Sequence, residues 1–287
     1  MLPLINKYIQ TFTTTTPYAS NISLFRKALL IFLLGNTLLL LSYAKTLYGP
    51  GSYFLPFEKH NNSLLNFLNC LEKPGMAQYW KFFVTGQILS IIACWFLPYK
   101  RLFTILIYFF TINLYFKTIL IQNAGFNLLV IVLFLLVFMD EKASEVKHPV
   151  LKILSITISN FAVLAARFQV IILYVTASYF KLLGQTWLNG TAFYYVLFNN
   201  TYSHPWVKNM FISNSFFIHA ITWFALGFQL LFPVLIWFKK TKPFILVVGI
   251  LFHLTIIFLM GLTDFGIIMI LMYLLFITKH SSKALLN

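Results

Sequence analysis

The feature that most constrains this chain is the recurrence of apolar runs approaching 20 residues from one end to the other. A helix of about 20 apolar residues crosses the hydrocarbon core of a bilayer, and a helix satisfies its own backbone hydrogen bonds there. Charged residues make up 9% of the chain, whereas a soluble domain has about 25%, so too little polar surface is available to coat a globule in water. We therefore predict an all-α fold, a polytopic transmembrane helical bundle, with residues 1–287 forming a single integral membrane domain.

Hydropathy and turn residues divide the chain into a short polar arm over residues 1–21 and eight predicted spans. The first run follows basic residues, as in a signal peptide, but it is long for one, and we interpret it as a retained helix. A long loop rich in Gly and Pro separates the first two spans, and loops of that length are usually functional or partly disordered. The predicted spans lie near residues 24–44, 80–97, 102–121, 125–139, 150–182, 214–238, 243–261 and 265–278.

The net charge of +15 arises from 21 Lys and Arg against six acids. The basic residues sit in short loops beside apolar runs, which is typical of topology signals and of contact with the anionic lipid bilayer rather than of nucleic-acid binding. With the N-terminus in the cytoplasm, thirteen basic residues fall on the inner side and six on the outer side, and Arg167 and Lys181 fall within the membrane. This count predicts eight helices and two cytoplasmic termini. If one predicted span, such as the short fourth, does not cross the membrane, the orientation of every later span is inverted.

The fifth predicted span carries a polar line on an otherwise apolar helix. Successive helical residues are about 100° apart, so four polar residues fall within roughly 60° of one another. They are Arg167, Tyr174, Ser178 and Lys181. In the predicted topology Arg167 lies near mid-depth and Lys181 lies about 21 Å further out, near the outer boundary. Any site built on this line opens away from the cytoplasm.

Ionisable residues within a span indicate function because burying them is costly. Lys181 could simply extend its ammonium group to the outer headgroups. Alternatively, burial near a second cation favours a neutral lysine, which can act as a base or nucleophile. Arg167 could bind an anion, or it could make a structural hydrogen bond to helix carbonyls or to a neighbour such as Gln169 or Asn160.

Further candidates lie in the following loop and in the seventh span. His253 is either a hydrogen-bonded packing residue or a catalytic group. The aromatic and small residues of the loop could be interfacial belt residues or the wall of a binding site; they are Trp187, Gly190, Thr191, Tyr194 and Tyr195. Cys70 and Cys94 make no metal-binding spacing and no acidic pair is available, so we expect no metal site.

The segment YVTASYFKLLGQTWLNGTAFYYVL, residues 174–197, resembles the signature of the HTTM membrane domain, which is shared with the vitamin K-dependent gamma-carboxylases. It is closer still to the sporulation-delaying protein B family, bacterial membrane proteins of antimicrobial-peptide operons. Two other stretches resemble that family, residues 94–98 and residues 252–269. The elements that carry the resemblance are Arg167-Phe168-Gln169, Lys181, Trp187, Gly190-Thr191-Ala192 and Tyr194-Tyr195.

The resemblance implies a multi-pass protein of the bacterial cell (inner) membrane that assists production or maturation of a secreted antimicrobial peptide. Its partners would be a secreted peptide or toxin precursor and a cytosolic protein. In the carboxylases, the lysine of this block is the base that deprotonates the quinol, and by position that lysine is Lys181. The resemblance thus leaves open a carboxylase-like or quinol-dependent oxygenase with a membrane quinone or quinol as cofactor. A non-catalytic peptide export or immunity partner is the third alternative.

Overall fold

The computed structural model describes residues 2–50, 52, 70, 71, 73, 75–118, 123–199, 201–203 and 205–277. Within these ranges every regular element is an α-helix or a 3-10 turn, which confirms the predicted all-α class. The α-helices of the described ranges, numbered in chain order, are α1 (Leu2–Thr14), α2 (Ala19–Leu39), α3 (Ala44–Tyr48), α4 (Trp80–Phe96), α5 (Lys100–Lys117), α6 (Ala124–Phe138), α7 (Pro149–Leu182), α8 (Gln185–Leu188), α9 (Ala192–Phe198), α10 (Pro205–Phe211), α11 (Ser215–Leu235), α12 (Lys242–Met260) and α13 (Thr263–Tyr273).

Six helical segments of the described ranges are long and apolar enough to cross a membrane. They are Ala19–Leu39, Met76–Phe96, Ala124–Glu145, Pro149–Leu182, Ser215–Leu235 and Lys242–Met260. The predicted third span corresponds to α5, which carries three basic residues, and the predicted eighth corresponds to the shorter apolar helix Thr263–Phe276. The described helices are therefore those of a polytopic helical bundle. The count of eight spans and the cytoplasmic position of both termini remain predictions.

Parts of several predicted segments lie outside the described residues. These parts are residues 119–121 of the third predicted span, residue 278 of the eighth, and most of the long loop between the first two spans. The described ends of that loop are helical, as α3 and as a 3-10 turn over Met76–Tyr79. The predicted polar arm contains α1, and α2 begins at Ala19, before the predicted start of the first span.

The described residues form two compact units, one up to residue 164 and one over residues 165–277. The boundary falls within α7, whose 34 residues give a length of about 51 Å. This length exceeds the roughly 30 Å thickness of a bilayer core. The helix must therefore tilt or extend beyond the hydrocarbon.

The first unit is built on the hairpin of α4 and α5. α4 ends before Pro98, which lacks a backbone N–H and holds Leu97 in an extended conformation. Gly86 lets the two helices approach closely, because a Cβ there would lie 2.4 Å from the ring of Phe110. Phe83 and Leu114 are buried in the same cluster, so the hairpin closes over an aromatic and aliphatic core.

The second unit contains α7 from Ala165 onward, which carries the whole polar line predicted from the sequence, together with α8 to α13. α12 ends at Gly261, whose φ of +67° is left-handed, and α13 then returns along α12. Gly249 makes room for the ring of Tyr273, since a Cβ there would lie 2.6 Å from the tyrosine oxygen. This close packing of α12 on α13 brings His253 beside Tyr273, where their ring centroids are 5.9 Å apart.

Candidate functional site

The predicted polar line lies on one continuous helix, α7, and most of it faces the interior of the second unit. Arg167, Tyr174 and Ser178 are buried, and Lys181 at the end of the line is half-buried. Most exposed positions between them are apolar, for example Phe168, Ile172 and Val175. The shared helix face predicted from the sequence is therefore present. Along it the polar residues meet different partners at three levels. The first level is Arg167, the middle level is Tyr174 and the third level is Lys181.

The middle level is a buried hydrogen-bond network centred on Tyr174. The Tyr174 hydroxyl lies 2.7 Å from His253 Nε2 and also makes a hydrogen bond with the Tyr273 hydroxyl. All three side chains are almost completely inaccessible. The network connects α7, α12 and α13 and gives three titratable groups a shared path for proton exchange.

Aromatic rings enclose this network. Phe232 and Phe228 of α11 pack on the Tyr174 ring, with centroid distances of 4.6 and 5.5 Å. Phe265 packs on the His253 ring at 5.5 Å. In such a low-dielectric shell a hydrogen bond is electrostatically strong, and an unpaired polar atom is correspondingly costly.

Three buried side-chain atoms have no hydrogen-bond partner in the described part of the chain, and all three belong to the second unit. They are Ser178 Oγ, Gln229 Oε1 and His253 Nδ1. Buried polar atoms are satisfied in the great majority of cases, so each unsatisfied one needs an explanation. Ser178 lies one helical turn from Tyr174 towards Lys181, and His253 is part of the network itself. The second unit thus retains hydrogen-bonding capacity along the predicted line that its own side chains do not use.

The first level is Arg167, whose Nε and Nη2 both donate to the carbonyl oxygen of Leu275, at 2.7 and 2.5 Å. Its guanidinium carbon also lies 5.6 Å from the centroid of the Phe276 ring. A cation at the carboxyl end of a helix is favoured by the helix dipole. Of the alternatives drawn from the sequence, this geometry matches the structural hydrogen bond to helix carbonyls, with a partner from the 3-10 turn that follows α13 rather than Gln169 or Asn160.

The third level is Lys181, whose Nζ lies over the ring of Trp187, 4.8 Å from the centroid. Gly184 ends the helix and turns the chain so that α8 carries Trp187 back beside the lysine. The only acid in the second unit is Asp264, and no ion pair joins it to Lys181 within the described residues. The lysine and the indole ring are the two predicted site residues of this level that the structure brings into contact.

The loop after α8 turns at Gly190, which has a φ of +74°. A Cβ at this position would lie 2.8 Å from both His219 and Trp223, so only glycine fits. Thr191 N–H donates to the Thr186 carbonyl at 2.8 Å and closes the turn. Gly190 and Thr191 therefore both have a structural role in forming this turn.

Tyr194 and Tyr195 lie on α9, and both are exposed. The helix is held by its buried residue Phe193, whose N–H donates to Thr222 Oγ1 of α11 at 3.0 Å. The structure therefore places the two tyrosines on the surface of the second unit, away from the buried network. Their interpretation as a site wall stays a prediction, as does the interpretation as interfacial aromatics.

Sequence reasoning missed three residues of this region: Tyr273, Gln229 and Gly249. Tyr273 lies in an apolar run, and its role depends on a partner 99 residues earlier in the chain. A glycine within an apolar helix is a known sign of close helix packing in membranes. That signal marks Gly249 but does not identify the ring that fills the space.

Comparison with known proteins supports one part of the predicted relationship. The chain is similar to the sporulation-delaying protein SdpB of Bacillus subtilis (strain 168), with 28% identity over 135 residues. The match covers 46% of this chain and 42% of the relative, so the chain spans less than half of the length of the curated relative that it matches. No protein-family model matches the chain, and no solved structure gives a significant match. An SdpB-like relationship is thus supported over part of the chain, and the resemblance to the HTTM domain and the carboxylases stays a prediction.

Proposed function

We propose that this chain is an SdpB-like multi-pass membrane protein that assists the production or maturation of a secreted antimicrobial peptide. The observation that carries the proposal is the similarity to SdpB in a chain with six helices able to cross a membrane. On this proposal the protein lies in a bacterial cell membrane. It works with a peptide precursor and a cytosolic partner.

The working residue in this proposal is Lys181. It lies at the end of α7, half-buried and without an acid to neutralise it among the described residues, so its ammonium group remains available to an incoming ligand. The Trp187 ring beneath it supplies an apolar, electron-rich surface that stabilises the cation by about 0.5–1 kcal/mol at an exposed site. In the predicted topology this position faces the side to which a secreted peptide is delivered.

A second candidate function is quinol-dependent chemistry with Lys181 as base. The buried network of Tyr174, His253 and Tyr273 on the same helix face favours it, because proton-exchanging groups inside a membrane commonly serve function. The residues present fit a quinone in one respect: Ser178 Oγ and His253 Nδ1 are buried and retain hydrogen-bonding capacity for its oxygens. When bound, such a group would supply redox chemistry, and Lys181 would receive a proton.

Substitution of Lys181 tests the proposal, and Lys208 offers a matched control. Lys208 lies in the same unit, and its Nζ also lies over an aromatic ring, 3.9 Å from the centroid of Phe198. We expect Lys181→Ala to reduce the yield of active secreted peptide at least tenfold at unchanged membrane levels of the protein. Lys208→Ala should leave the yield within twofold. The measurement is growth inhibition by culture supernatant of cells that produce this protein together with the peptide precursor and the cytosolic partner.

Lys181→Arg separates the two functions. Arginine keeps the positive charge but cannot give up its proton in a protein, so it can replace a lysine that binds and cannot replace one that acts as a base. Retained peptide yield would favour the binding role, and loss of yield would favour the base. Normal yield from Lys181→Ala would refute both.

A further inference from the structure

A second polar region lies in the first unit, at the face where α4 ends, α5 begins and α6 ends. It is an open cavity of about 690 Å³, which we call the charged cavity. Its volume is within the range of roughly 300–1,000 Å³ typical of ligand sites. In the predicted topology this face is cytoplasmic. The charged side chains that line it are Arg26, Lys100, Arg101, Asp140, Glu141, Lys142 and Glu145.

The charges in the deepest part of this cavity do not balance. The Glu141 carboxylate accepts hydrogen bonds from two cations, Arg26 Nε at 3.3 Å and Lys100 Nζ at 2.5 Å. Two further donors of Arg26 bind neutral oxygens, Nη1 to Thr104 Oγ1 and Nη2 to the Met139 carbonyl, each at 2.6 Å. One carboxylate therefore serves two cations, and a surplus positive charge remains.

The other two ion pairs of the cavity are one-to-one, so they do not cancel this surplus. Arg101 pairs with Asp140 at 3.4 Å, and Lys142 pairs with Glu145 at 3.5 Å. Lys100 is the accessible member of the surplus group, because its side chain is 31% exposed whereas that of Arg26 is 5% exposed. Its ammonium group has three donors and gives one of them to Glu141, so two remain for an anion.

The rim of the cavity consists of exposed apolar and aromatic side chains at the helix ends. Phe96 is 81% exposed and Tyr99 is 70% exposed, and Trp95 lies beside them. Aromatic residues of this kind are typical of the level of lipid headgroups, and apolar side chains exposed beside them contact acyl chains. The region thus combines a surplus cation with an apolar border, which matches a lipid better than a free anion.

We propose that the charged cavity binds the phosphate of an anionic phospholipid headgroup, with Lys100 as the principal cation. Basic pockets between transmembrane helices on the cytoplasmic side are suited to such headgroups. The acyl chains lie against the apolar rim. The site is in a different unit from Lys181 and does not depend on the function proposed for it.

The test uses the full-length chain purified in a neutral detergent. Its unfolding temperature is measured against increasing phosphatidylglycerol, phosphatidylcholine or inorganic phosphate, and an apparent affinity is derived from each stabilisation curve. We expect the apparent affinity for phosphatidylglycerol to be at least tenfold higher than that for phosphatidylcholine. Lys100→Gln should reduce the affinity for phosphatidylglycerol about fivefold, the effect of one cation near an anionic lipid. Glu141 keeps Arg26 as a partner in this variant, so the ion pair in the core survives.

Lys27→Gln is the matched control, because Lys27 follows Arg26 on α2, is exposed and does not line the cavity. It removes the same charge and should leave the affinity for phosphatidylglycerol unchanged. If Lys100→Gln does not fold, Lys142→Gln removes one exposed cation of the cavity and should also weaken phosphatidylglycerol binding. Equal loss from Lys27→Gln, equal stabilisation by phosphatidylcholine, or equal stabilisation by inorganic phosphate would each overturn the proposal.

Discussion

Removal of the Tyr174 hydroxyl is the sharpest test of the buried network. Tyr174→Phe deletes the hydrogen bonds to His253 and to Tyr273 while it keeps the ring that packs on Phe232 at 4.6 Å. Side-chain hydrogen bonds between membrane helices contribute about 0.6 kcal/mol on average and up to about 1.7 kcal/mol. Loss of two such bonds should therefore lower the free energy of unfolding by about 1–3 kcal/mol.

The assay is equilibrium unfolding of the purified protein in mixed micelles, followed by circular dichroism as a denaturing detergent is added. Tyr179→Phe is the control, because Tyr179 lies on the same helix and is 58% exposed. It should change the free energy of unfolding by less than about 0.5 kcal/mol, as for most surface changes. A double-mutant cycle with Tyr273→Phe should show coupling between the two tyrosines. If Tyr174→Phe is as stable as the Tyr179→Phe control, the network contributes nothing and the reasoning is refuted.

Two further changes test a buried ion pair in the first unit and close helix packing in the second. Glu141→Gln should destabilise the first unit by about 3–5 kcal/mol, because it leaves the buried Arg26 guanidinium without its counter-charge. Unfolding in mixed micelles measures this loss. The control is Glu145→Gln, which breaks an exposed ion pair and should cost no more than about 1 kcal/mol. Gly249→Ala should force Tyr273 away from α12 and destabilise the second unit by at least about 1 kcal/mol. If this variant is as stable as the wild type, α12 and α13 are not so closely packed.

Much of the architecture follows from local pattern. The apolar runs of the sequence coincide with long helices of the described ranges, such as α4, which ends before Pro98, and α12, which ends at Gly261. The common face of Arg167, Tyr174 and Lys181 also follows from the sequence, because the 3.6-residue period of a helix is independent of its surroundings. Lipid leaves the chain few alternatives, since an unpaired backbone group there is too costly.

The partners of these residues could not be read from the sequence. Arg167 could have bound an anion, and only the structure shows that it donates to a carbonyl 108 residues away. The same holds for Tyr174 and His253, which are 79 residues apart, and for the shared carboxylate of Glu141.

The sequence by itself thus determined an all-α polytopic class built of long apolar helices, and one polar helix face. The tertiary structure decided which polar groups meet: the buried network at Tyr174, the carbonyl that holds Arg167, and the two cations on Glu141. The reason is that helix formation and burial in lipid depend on residues a few positions apart. Contacts between helices depend instead on how their side chains pack, down to the space that Gly249 leaves for one tyrosine ring.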